Sequence, residues 1–270
     1  MKVVTSVTTP LITGFVPTMG ALHEGHLSLV REARKQCDHV VVSILVNPLQ
    51  FAPNEDFKAY PRTLEADLAL CEAAGADVVF CPDAAAIYPE NFQTRVIGGE
   101  LTQRYCGQTR PIFFNGVLTV VNILFGIVRP QKAFFGEKDF QQLFLIKQMV
   151  KDFWMPIEII GMPIIRESSG LAMSSRNSYL SEPQKQEATC LFQAILAVQE
   201  AVKTGERDIQ ALLDLARSKI SLEIDYIELV SVKSLERLTG TLLEPARLLM
   251  AGYIGDKPRV RLIDNGLVTA

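Results

Sequence analysis

The 270-residue sequence has few of the features that mark membrane, secreted or nucleic-acid-binding proteins. No apolar run approaches the ~18 residues of a membrane span. The start passes quickly from Val3 and Val4 into threonine and proline, so we expect neither a signal peptide nor a membrane partner. The net charge of −3 lacks the basic excess that a phosphate backbone requires, which excludes general nucleic-acid binding. A local basic pocket for a small anion is compatible with this charge.

Cysteine and histidine are also scarce. The five cysteines are odd in number, widely spaced and without a CxxC pair. This usage predicts a cytoplasmic protein whose reduced thiols serve as small hydrophobic side chains. Of the three histidines, His23 and His26 stand three residues apart, whereas His39 opens an apolar segment, where we expect a structural role. Hydrophobic residues make up 48% of the chain, which is enough for a sizeable buried core.

Short apolar segments alternate with helical patterns between residues 11 and 160. The segments lack polar–apolar alternation, as expected for strands buried on both faces of a parallel sheet. The helical stripe containing Leu64 and Cys71 is bounded by Thr63 and Gly75, and a later stripe stops at Pro130. We therefore predict an α/β fold with a Rossmann-like, doubly wound parallel sheet. The predicted strands are 11–16, 39–46, 77–81, 132–135 and 157–160.

The pattern changes in the polar stretch Ser168-Ser169-Gly170. A capping box at Ser181 predicts one long helix that ends by Gly205, and a second helix starts at about Asp208. Predicted strands follow at 225–232, 246–253 and 260–263. Helices followed by neighbouring strands predict a smaller C-terminal α+β domain. The boundary falls between about 164 and 182, and we assign residues 1–165 to the larger domain and 166–270 to the smaller.

The segment 17–26 joins the first predicted strand to the first predicted helix. Ligands of open α/β sheets bind beyond the carboxyl ends of the strands, and a helix N-terminus offers its N–H groups to anions. Gly20 and Gly25 permit close backbone approach, and imidazoles at 23 and 26 can reach one phosphate. Zinc is the alternative, but helical zinc pairs are usually four residues apart, and the sequence has no further histidine or cysteine cluster. We therefore predict that His23 and His26 handle phosphates.

Three other segments carry polar side chains suited to ATP. Lys138 follows the fourth strand as a compact cation, and Asp139 beside it can cap the next helix or assist Mg²⁺-ATP. The loop 173–177 supplies two hydroxyls and a guanidinium that can close over phosphates, while Gln50 can hold a small polar substrate. A capped surface turn, a polar linker and a solvated glutamine are the alternatives. With the His turn, the segments suit attack on the α-phosphate of ATP with pyrophosphate leaving, catalysed by positioning and charge stabilisation.

These motifs, in this order, resemble the pantothenate synthetase family. That family belongs to the superfamily of nucleotidylyltransferases and class I aminoacyl-tRNA synthetases, which share a His-x-Gly-His turn. The similarity runs from about Gly14 to Asn265. Its motifs are PTMGALHEGH (17–26), NPLQF (47–51), AYPRT (59–63), GVLTVV (116–121), FFGEKDFQQL (134–143), LAMSSRN (171–177) and RLIDN (261–265).

The resemblance implies a ligase of pantothenate biosynthesis, in the coenzyme A pathway. It condenses (R)-pantoate with β-alanine and ATP to give pantothenate, AMP and pyrophosphate through a pantoyl adenylate. It also implies Mg²⁺, a homodimer formed through the larger domain, and a nucleotide and pantoate site in that domain. Gln50 and Gln142 would hold pantoate, with Gln50 also near β-alanine.

The resemblance also assigns roles to the motif residues. The family treats the position of His26 as a proton donor, although its chemistry favours stabilisation of the transition-state phosphate. The metal ligands are not assigned; Asp67 and Asp139 are candidates. The implied catalytic residues are His26, His23, Lys138, Ser174, Ser175 and Arg176. The implied ATP-binding residues are Met19, Gly20, Ala21, Leu22, His23, Glu24, Gly25, His26, Gly136, Glu137, Lys138, Asp139, Ile165, Met173, Ser174, Ser175 and Arg176.

The sequence departs from the family in two places. The family usually has a helix before its first strand, whereas only about a dozen residues precede Gly14, which predicts a shorter N-terminal edge. Phe113 stands where many relatives have histidine, so a polar role at this position is lost. Two other functions would fit the same His turn: a nucleotidylyltransferase with a phosphate acceptor, and a non-catalytic nucleotide-binding sensor.

Overall fold

The computed structural model describes residues 2–4, 14–53 and 55–269, with residues 2–4 described only as a strand. These residues divide into two compact units. The first comprises residues up to 137 together with Gln142–Pro163, and the second comprises Lys138–Gln141 and the residues from 164 onward. The prediction placed residues 138–141 in the larger domain, but they pack with the second unit because Lys138 and Phe140 contact strand residues there.

The first unit is built on a parallel sheet, which confirms the α/β, Rossmann-like fold. Phe15 and Phe134, in two of its central strands, are completely buried, as the missing alternation indicated. The strands are β1 (Lys2–Val4), β2 (Gly14–Thr18), β3 (Val40–Ile44), β4 (Val78–Phe80), β5 (Lys132–Gly136) and β6 (Glu158–Met162). The helices are α1 (Glu24–Gln36), α2 (Leu64–Ala74), α3 (Ala84–Ile87), α4 (Cys106–Thr109), α5 (Phe113–Val128) and α6 (Phe140–Asp152), the last starting in the second unit.

The strand order β1-β4-β3-β2-β5-β6 places a topological switch point between β2 and β5. The chain runs outward from β2 to β3 and β4 on one side, and from β5 to β6 on the other. Ligands of open α/β sheets bind at the carboxyl end of such a switch point. The segment after β2, which contains both predicted phosphate-binding histidines, and the end of β5 at Gly136 both lie there.

Local sequence signals mark the C-terminal ends of two helices in this unit. Gly75 ends α2 with φ +94°, and α5 ends at Val128, two residues before Pro130. Thr63 precedes α2 as predicted, but its hydroxyl donates to the Asp67 carboxylate instead of capping the helix, because that carboxylate lies one turn away. Leu64, at the start of the predicted stripe, is 46% exposed in the first turn of the helix.

The second unit contains an antiparallel sheet of order β7-β8-β9, preceded by helices, as predicted for an α+β domain. The predicted single helix after Ser181 is wrong, since it is interrupted at Thr189. There the threonine hydroxyl donates to the Gln186 carbonyl at 2.6 Å, a side-chain bond that competes with the helical ladder. The elements are α7 (Glu182–Ala188), α8 (Cys190–Lys203), α9 (Ile209–Lys219), β7 (Glu223–Ser231), β8 (Ala246–Ile254) and β9 (Val260–Val268).

The N-terminal edge of the sheet contains a strand that the sequence did not predict. β1 pairs in parallel with β4, in the register Lys2 to Val78 and Val4 to Phe80. β2 covers Gly14–Thr18 and so extends two residues beyond the first predicted strand, 11–16; residues 11–13 lie outside the described residues, as do 1 and 5–10. None of the helices in the described part of the chain has both the length and the apolar character needed to cross a membrane.

Candidate active site

Both imidazoles of the predicted phosphate site accept hydrogen bonds from backbone N–H groups at the N-terminus of the first helix. His23 precedes α1, and its Nδ1 accepts from the Gly25 N–H at 3.1 Å, while Nδ1 of His26 accepts from the His23 N–H at 3.4 Å. The two ring centroids are 4.1 Å apart. Because Nδ1 accepts in each ring, the neutral imidazole carries its proton on Nε2, which makes Nε2 a donor suited to an anion. The structure therefore brings the two histidines together as one unit.

A buried carboxylate shapes the backbone just before these histidines. Gly20 and Ala21 have φ angles of +82° and +50°. Asp67, in the first turn of α2 and 2% exposed, accepts from the N–H groups of Ala21 at 2.9 Å and Leu22 at 2.8 Å, and from the Thr63 hydroxyl at 3.2 Å. A non-glycine residue at positive φ, such as Ala21, costs on the order of 1 kcal/mol. The hydrogen bonds to Asp67 offset this cost and so stabilise the conformation of the turn. The suggested magnesium ligand is thus engaged with the protein backbone.

The side chain of Gln50 is buried and has a fixed orientation. Its Oε1 accepts from Asn47 Nδ2 at 3.1 Å, and its Nε2 donates to the sulfur of Met19 at 3.1 Å. Asn47, which is 1% exposed, accepts in turn from the Tyr88 hydroxyl at 2.7 Å. This chain of bonds joins the turn after β3 to Met19 in the segment after β2, so two of the predicted site segments meet here.

Helix α5 packs directly on the turn that carries Gln50. The amide of Asn47 also donates to the Gly116 carbonyl at 3.1 Å. A Cβ atom at position 116 would lie 2.2 Å from the Leu49 carbonyl oxygen, so only glycine permits this approach. Burial raises the pKa of Tyr88, which keeps its hydroxyl protonated and able to donate to Asn47.

Phe113 has taken a packing role. The guanidinium of Arg110 lies over its ring, with Cζ 3.7 Å from the centroid. Arg110 donates to the Glu55 carboxylate at 2.5 and 2.8 Å and to the Gln50 carbonyl at 3.2 Å. The ring therefore supports a partly buried ion pair that holds the backbone of the Gln50 turn.

Three further predicted residues lie in the first unit. Gln142 is half-buried in the first turn of α6, and Gly136 ends β5. The carboxylate of Glu24 forms an ion pair with Arg31 one to two turns along α1, and the hydrogen bond between them lowers the pKa of Glu24. Glu24 is therefore directed along its own helix.

The Lys138 turn is tied to the sheet of the second unit. It is a 3₁₀ turn, Glu137–Asp139, between β5 and α6. The amide of Asn265 on β9 donates to the Lys138 carbonyl at 2.8 Å. The Lys138 ammonium lies 3.8 Å from the Asp139 carboxylate, whose side chain is 42% exposed. The exposed carboxylate and the ammonium thus neighbour each other on this turn.

The other predicted nucleotide segment, residues 173–177, follows a tight hairpin. Met173 donates its N–H to the Ile165 carbonyl at 3.0 Å, and Gly170 turns the chain with φ +95°. Ser174 then accepts from the Arg176 N–H at 3.3 Å and begins a 3₁₀ helix, Ser175–Tyr179. The segment is thus a defined turn, and its closure over a ligand stays a prediction.

Asn177 attaches that turn to the hairpin. Its amide donates to the Glu167 carboxylate at 2.8 Å and to the Ala172 carbonyl at 3.1 Å, and it is 6% exposed. The predicted site residues are therefore divided between the units. His23, His26, Gln50 and Gln142 belong to the first, and Lys138, Ile165, Met173, Ser174, Ser175 and Arg176 belong to the second.

The structural roles of several residues near the site had no clear signal in the sequence. Asn47 stood inside the quoted NPLQF motif without an assigned role, and nothing local marked Tyr88 or Arg110. Within the described residues, no three histidine, cysteine, aspartate or glutamate side chains group so as to hold a metal ion. Burial, and then the Asp67 carboxylate, raise the pKa of Cys71 to about 12, so this thiol stays protonated at neutral pH.

Comparison with known proteins gives a consistent result. The family model for pantoate–β-alanine ligase matches residues 3–267. A pantothenate synthetase of Trichlorobacter lovleyi is 53% identical over 93% of this chain and 89% of its own length, and one of Carboxydothermus hydrogenoformans is 50% identical over 94% and 90%. The crystal structure of a pantothenate synthetase from Thermus thermophilus aligns with TM-score 0.94 and 44% identity, covering 98% of this chain and 99% of that one. A pantoate–β-alanine ligase from Francisella tularensis, complexed with β-γ ATP and β-alanine, aligns with TM-score 0.78 and 35% identity over 99% and 97%.

Proposed function

Because the chain belongs to the pantoate–β-alanine ligase family, we propose that it condenses (R)-pantoate with β-alanine, converting ATP to AMP and pyrophosphate. The observation that carries this proposal is the pair of histidines at the start of α1, on the carboxyl edge of the sheet. The paired rings present Nε2 donors at the place where an α/β sheet binds phosphates.

In the first step, a pantoate carboxylate oxygen attacks the α-phosphorus of ATP, and the bond to the bridging oxygen breaks to release pyrophosphate. Negative charge builds up on the non-bridging oxygens of the α-phosphate. The Nε2–H groups of His23 and His26 donate to these oxygens and stabilise the transition state. The backbone of residues 19–26 lines the nucleotide, held in shape by the Asp67 carboxylate.

Cations and hydroxyls of the Lys138 turn and of the segment 173–176 bind the triphosphate. Lys138 neutralises phosphate charge, and Ser174, Ser175 and Arg176 donate to the departing pyrophosphate, with Arg176 able to bind two oxygens at once. Gly136, Glu137, Ile165 and Met173 would complete the nucleotide site. ATP enters as its Mg²⁺ complex, since Mg²⁺ usually binds through substrate phosphates and one or two carboxylates. Asp139, exposed on the Lys138 turn, is the carboxylate suited to assist it.

Pantoate is held by the amides of Gln50 and Gln142. The Gln50 amide presents a donor and an acceptor, and its bonds to Asn47 and Met19 fix which atom points where. In the second step, the neutral amine of β-alanine attacks the acyl carbon of the adenylate. The bond to the phosphate oxygen breaks, AMP leaves, and the ammonium formed on nitrogen loses a proton to give the amide.

Exchange of labelled pyrophosphate into ATP tests the proposal. We expect exchange that depends on pantoate and Mg²⁺ and does not need β-alanine, because the adenylate forms before the amine reacts. ATP binding without any pantoate-dependent exchange would overturn the proposal. A phosphorylated acceptor that supported exchange in place of pantoate would indicate a nucleotidylyltransferase instead.

The assembly and location belong to the same proposal. We take the protein to be a cytoplasmic homodimer joined through residues 1–165, with 166–270 as the smaller domain. The odd number of cysteines and the lack of a CxxC pair support the location. The resemblance to the family supports the dimer. Light scattering of the purified chain should give twice the monomer mass of 29.9 kDa, and a monomer at micromolar concentration would contradict it.

A further inference from the structure

Two neighbouring residues of β9, in the RLIDN motif, have no assigned role in the reaction. Asp264 and Asn265 are 4% and 2% exposed. Buried polar side chains of this kind are retained only when their hydrogen bonds are satisfied. Both side chains bond to segments that we propose bind ATP, and all of the residues involved belong to the second unit.

Asn265 holds the Lys138 turn. Its Nδ2 donates to the Lys138 carbonyl at 2.8 Å, and its Oδ1 accepts from Nη1 of Arg247 on β8 at 2.9 Å. The guanidinium of Arg247 also lies over the ring of Phe140, with Cζ 4.2 Å from the centroid. One contact thus holds the Lys138 backbone and the other holds Phe140, the first residue of α6. Asp139, which neighbours the lysine ammonium, lies between these two residues.

Asp264 holds the hairpin that precedes the serines. Its two oxygens accept from Arg166 at 2.6 and 3.0 Å, a bidentate pair, and Oδ1 also accepts from the Asn265 N–H at 2.7 Å. Arg166 donates further to the Gly170 carbonyl at 3.1 Å and stacks on Phe192, with Cζ 4.0 Å from the centroid. The ends of this hairpin are Ile165 and Met173, next to Ser174.

We propose that Asp264 and Asn265 are positioning residues for ATP: together they fix, from one strand, the Lys138 turn and the hairpin that leads into Ser174. The proposal rests on the proposed nucleotide site and assigns neither residue to a contact with the substrate. Neighbouring side chains of a strand point to opposite faces, so one rigid element reaches two separate segments. Groups that bind a single triphosphate need such a common support, because small displacements weaken all of the contacts.

Asn265→Asp tests the positioning role of the amide, and a control that lowers the Tm elsewhere in the sheet separates this role from stability. The carboxylate keeps an acceptor for Arg247 but places an oxygen against the Lys138 carbonyl, so the bond to the turn is lost. We expect the Kd of a non-hydrolysable ATP analogue and the KM for ATP to rise about tenfold, the effect of one net hydrogen bond. The KM for pantoate should change less than twofold, whereas the Tm should fall, because a buried carboxylate oxygen then faces the Lys138 carbonyl. Asp264→Asn, which breaks the bidentate pair with Arg166, should raise the same two ATP constants.

Asp225→Asn is the matched control. Asp225 lies in the same sheet and accepts from Nε and Nη2 of Arg261 at 2.9 and 2.6 Å, a bidentate pair like that of Asp264, with its side chain 12% exposed. It should lower the Tm and leave the ATP constants unchanged. The inference is overturned if Asn265→Asp binds the analogue as the wild type does, or if Asp225→Asn weakens ATP binding as much. Because analogue binding needs no pantoate, a wild-type chain that binds it without pantoate-dependent exchange would refute the proposed function alone.

Discussion

Replacing Asp67 by asparagine should distort the turn that presents His23 and His26. The carboxylate accepts the N–H groups of Ala21 at 2.9 Å and Leu22 at 2.8 Å. Asparagine offers one oxygen, so its NH₂ group must face one of these two N–H donors. A hydrogen bond to a charged group contributes roughly 1.5–3 kcal/mol, and a buried donor left without an acceptor costs a further ~1–3 kcal/mol.

Not all of this energy reaches the bound nucleotide, because the turn can relax. If about 2–4 kcal/mol is needed to restore the active shape, the kcat/KM for ATP falls by about 30- to 1000-fold, at 1.36 kcal/mol for each factor of ten. Steady-state pyrophosphate exchange with varied ATP measures this ratio. The KM for pantoate should rise much less, since Asn47 and Arg110 hold the Gln50 turn independently of Asp67.

A second carboxylate provides the control. Asp77 accepts from the Val40 N–H and from Arg34, both at 2.7 Å, at the amino edge of the sheet. Asp77→Asn should lower the Tm without changing kcat/KM for ATP. Adding Ala21→Gly to Asp67→Asn should recover part of the activity, because glycine adopts positive φ without strain. The reasoning fails if folded Asp67→Asn keeps its kcat/KM for ATP, or if Asp77→Asn loses as much.

Three further outcomes follow from the same geometry. His26→Ala should slow single-turnover formation of the adenylate by about 10²–10³ while leaving pantoate binding nearly intact, and an unchanged rate constant would remove its assigned role. Gly116→Ala should destabilise the protein by about 1–3 kcal/mol in urea unfolding and raise the KM for pantoate, because its Cβ meets the Leu49 carbonyl; wild-type values of both would contradict the packing. The pKa of Cys71 is raised from 9.0 to about 12, so the proton favours the folded state, and the free energy of unfolding should fall as pH rises from 9 towards 12. Cys71→Ala should show a shallower decline over this range, measured by urea unfolding, and an identical decline would refute the assignment.

The sequence predicted what depends on short stretches of chain. The buried strands, the Gly75 cap and the capping box at Ser181 were confirmed, because apolar runs and cap residues act within a few positions. The two histidines could be placed at a helix start for the same reason. Errors at this level arose where a side chain competes with the backbone for a hydrogen bond. The Thr189 hydroxyl, which interrupts the expected long helix, is an example.

The contacts that position the site could not be predicted in this way. Asp67 bonds to a residue 46 positions earlier, and Asn265 bonds to one 127 positions earlier. Such pairs leave no period or spacing in a single sequence, and their geometry depends on the completed sheets. The same holds for Phe113, where the sequence suggested only the loss of a polar role, whereas the structure shows a ring that packs on Arg110.

The distant carboxylate at Asp67 has a consequence for the design of nucleotide-binding proteins. A fragment of residues 14–36 would contain the strand, the turn, both histidines and the whole of α1, yet it would lack the acceptor that bends Ala21 and Leu22. Transplanting this motif into another scaffold should therefore give a helix with two histidines, but the turn before the helix should lose the shape that it has here. The transferable module is discontinuous: it needs the first turn of a second helix, from Thr63 to Asp67, delivered beside the first.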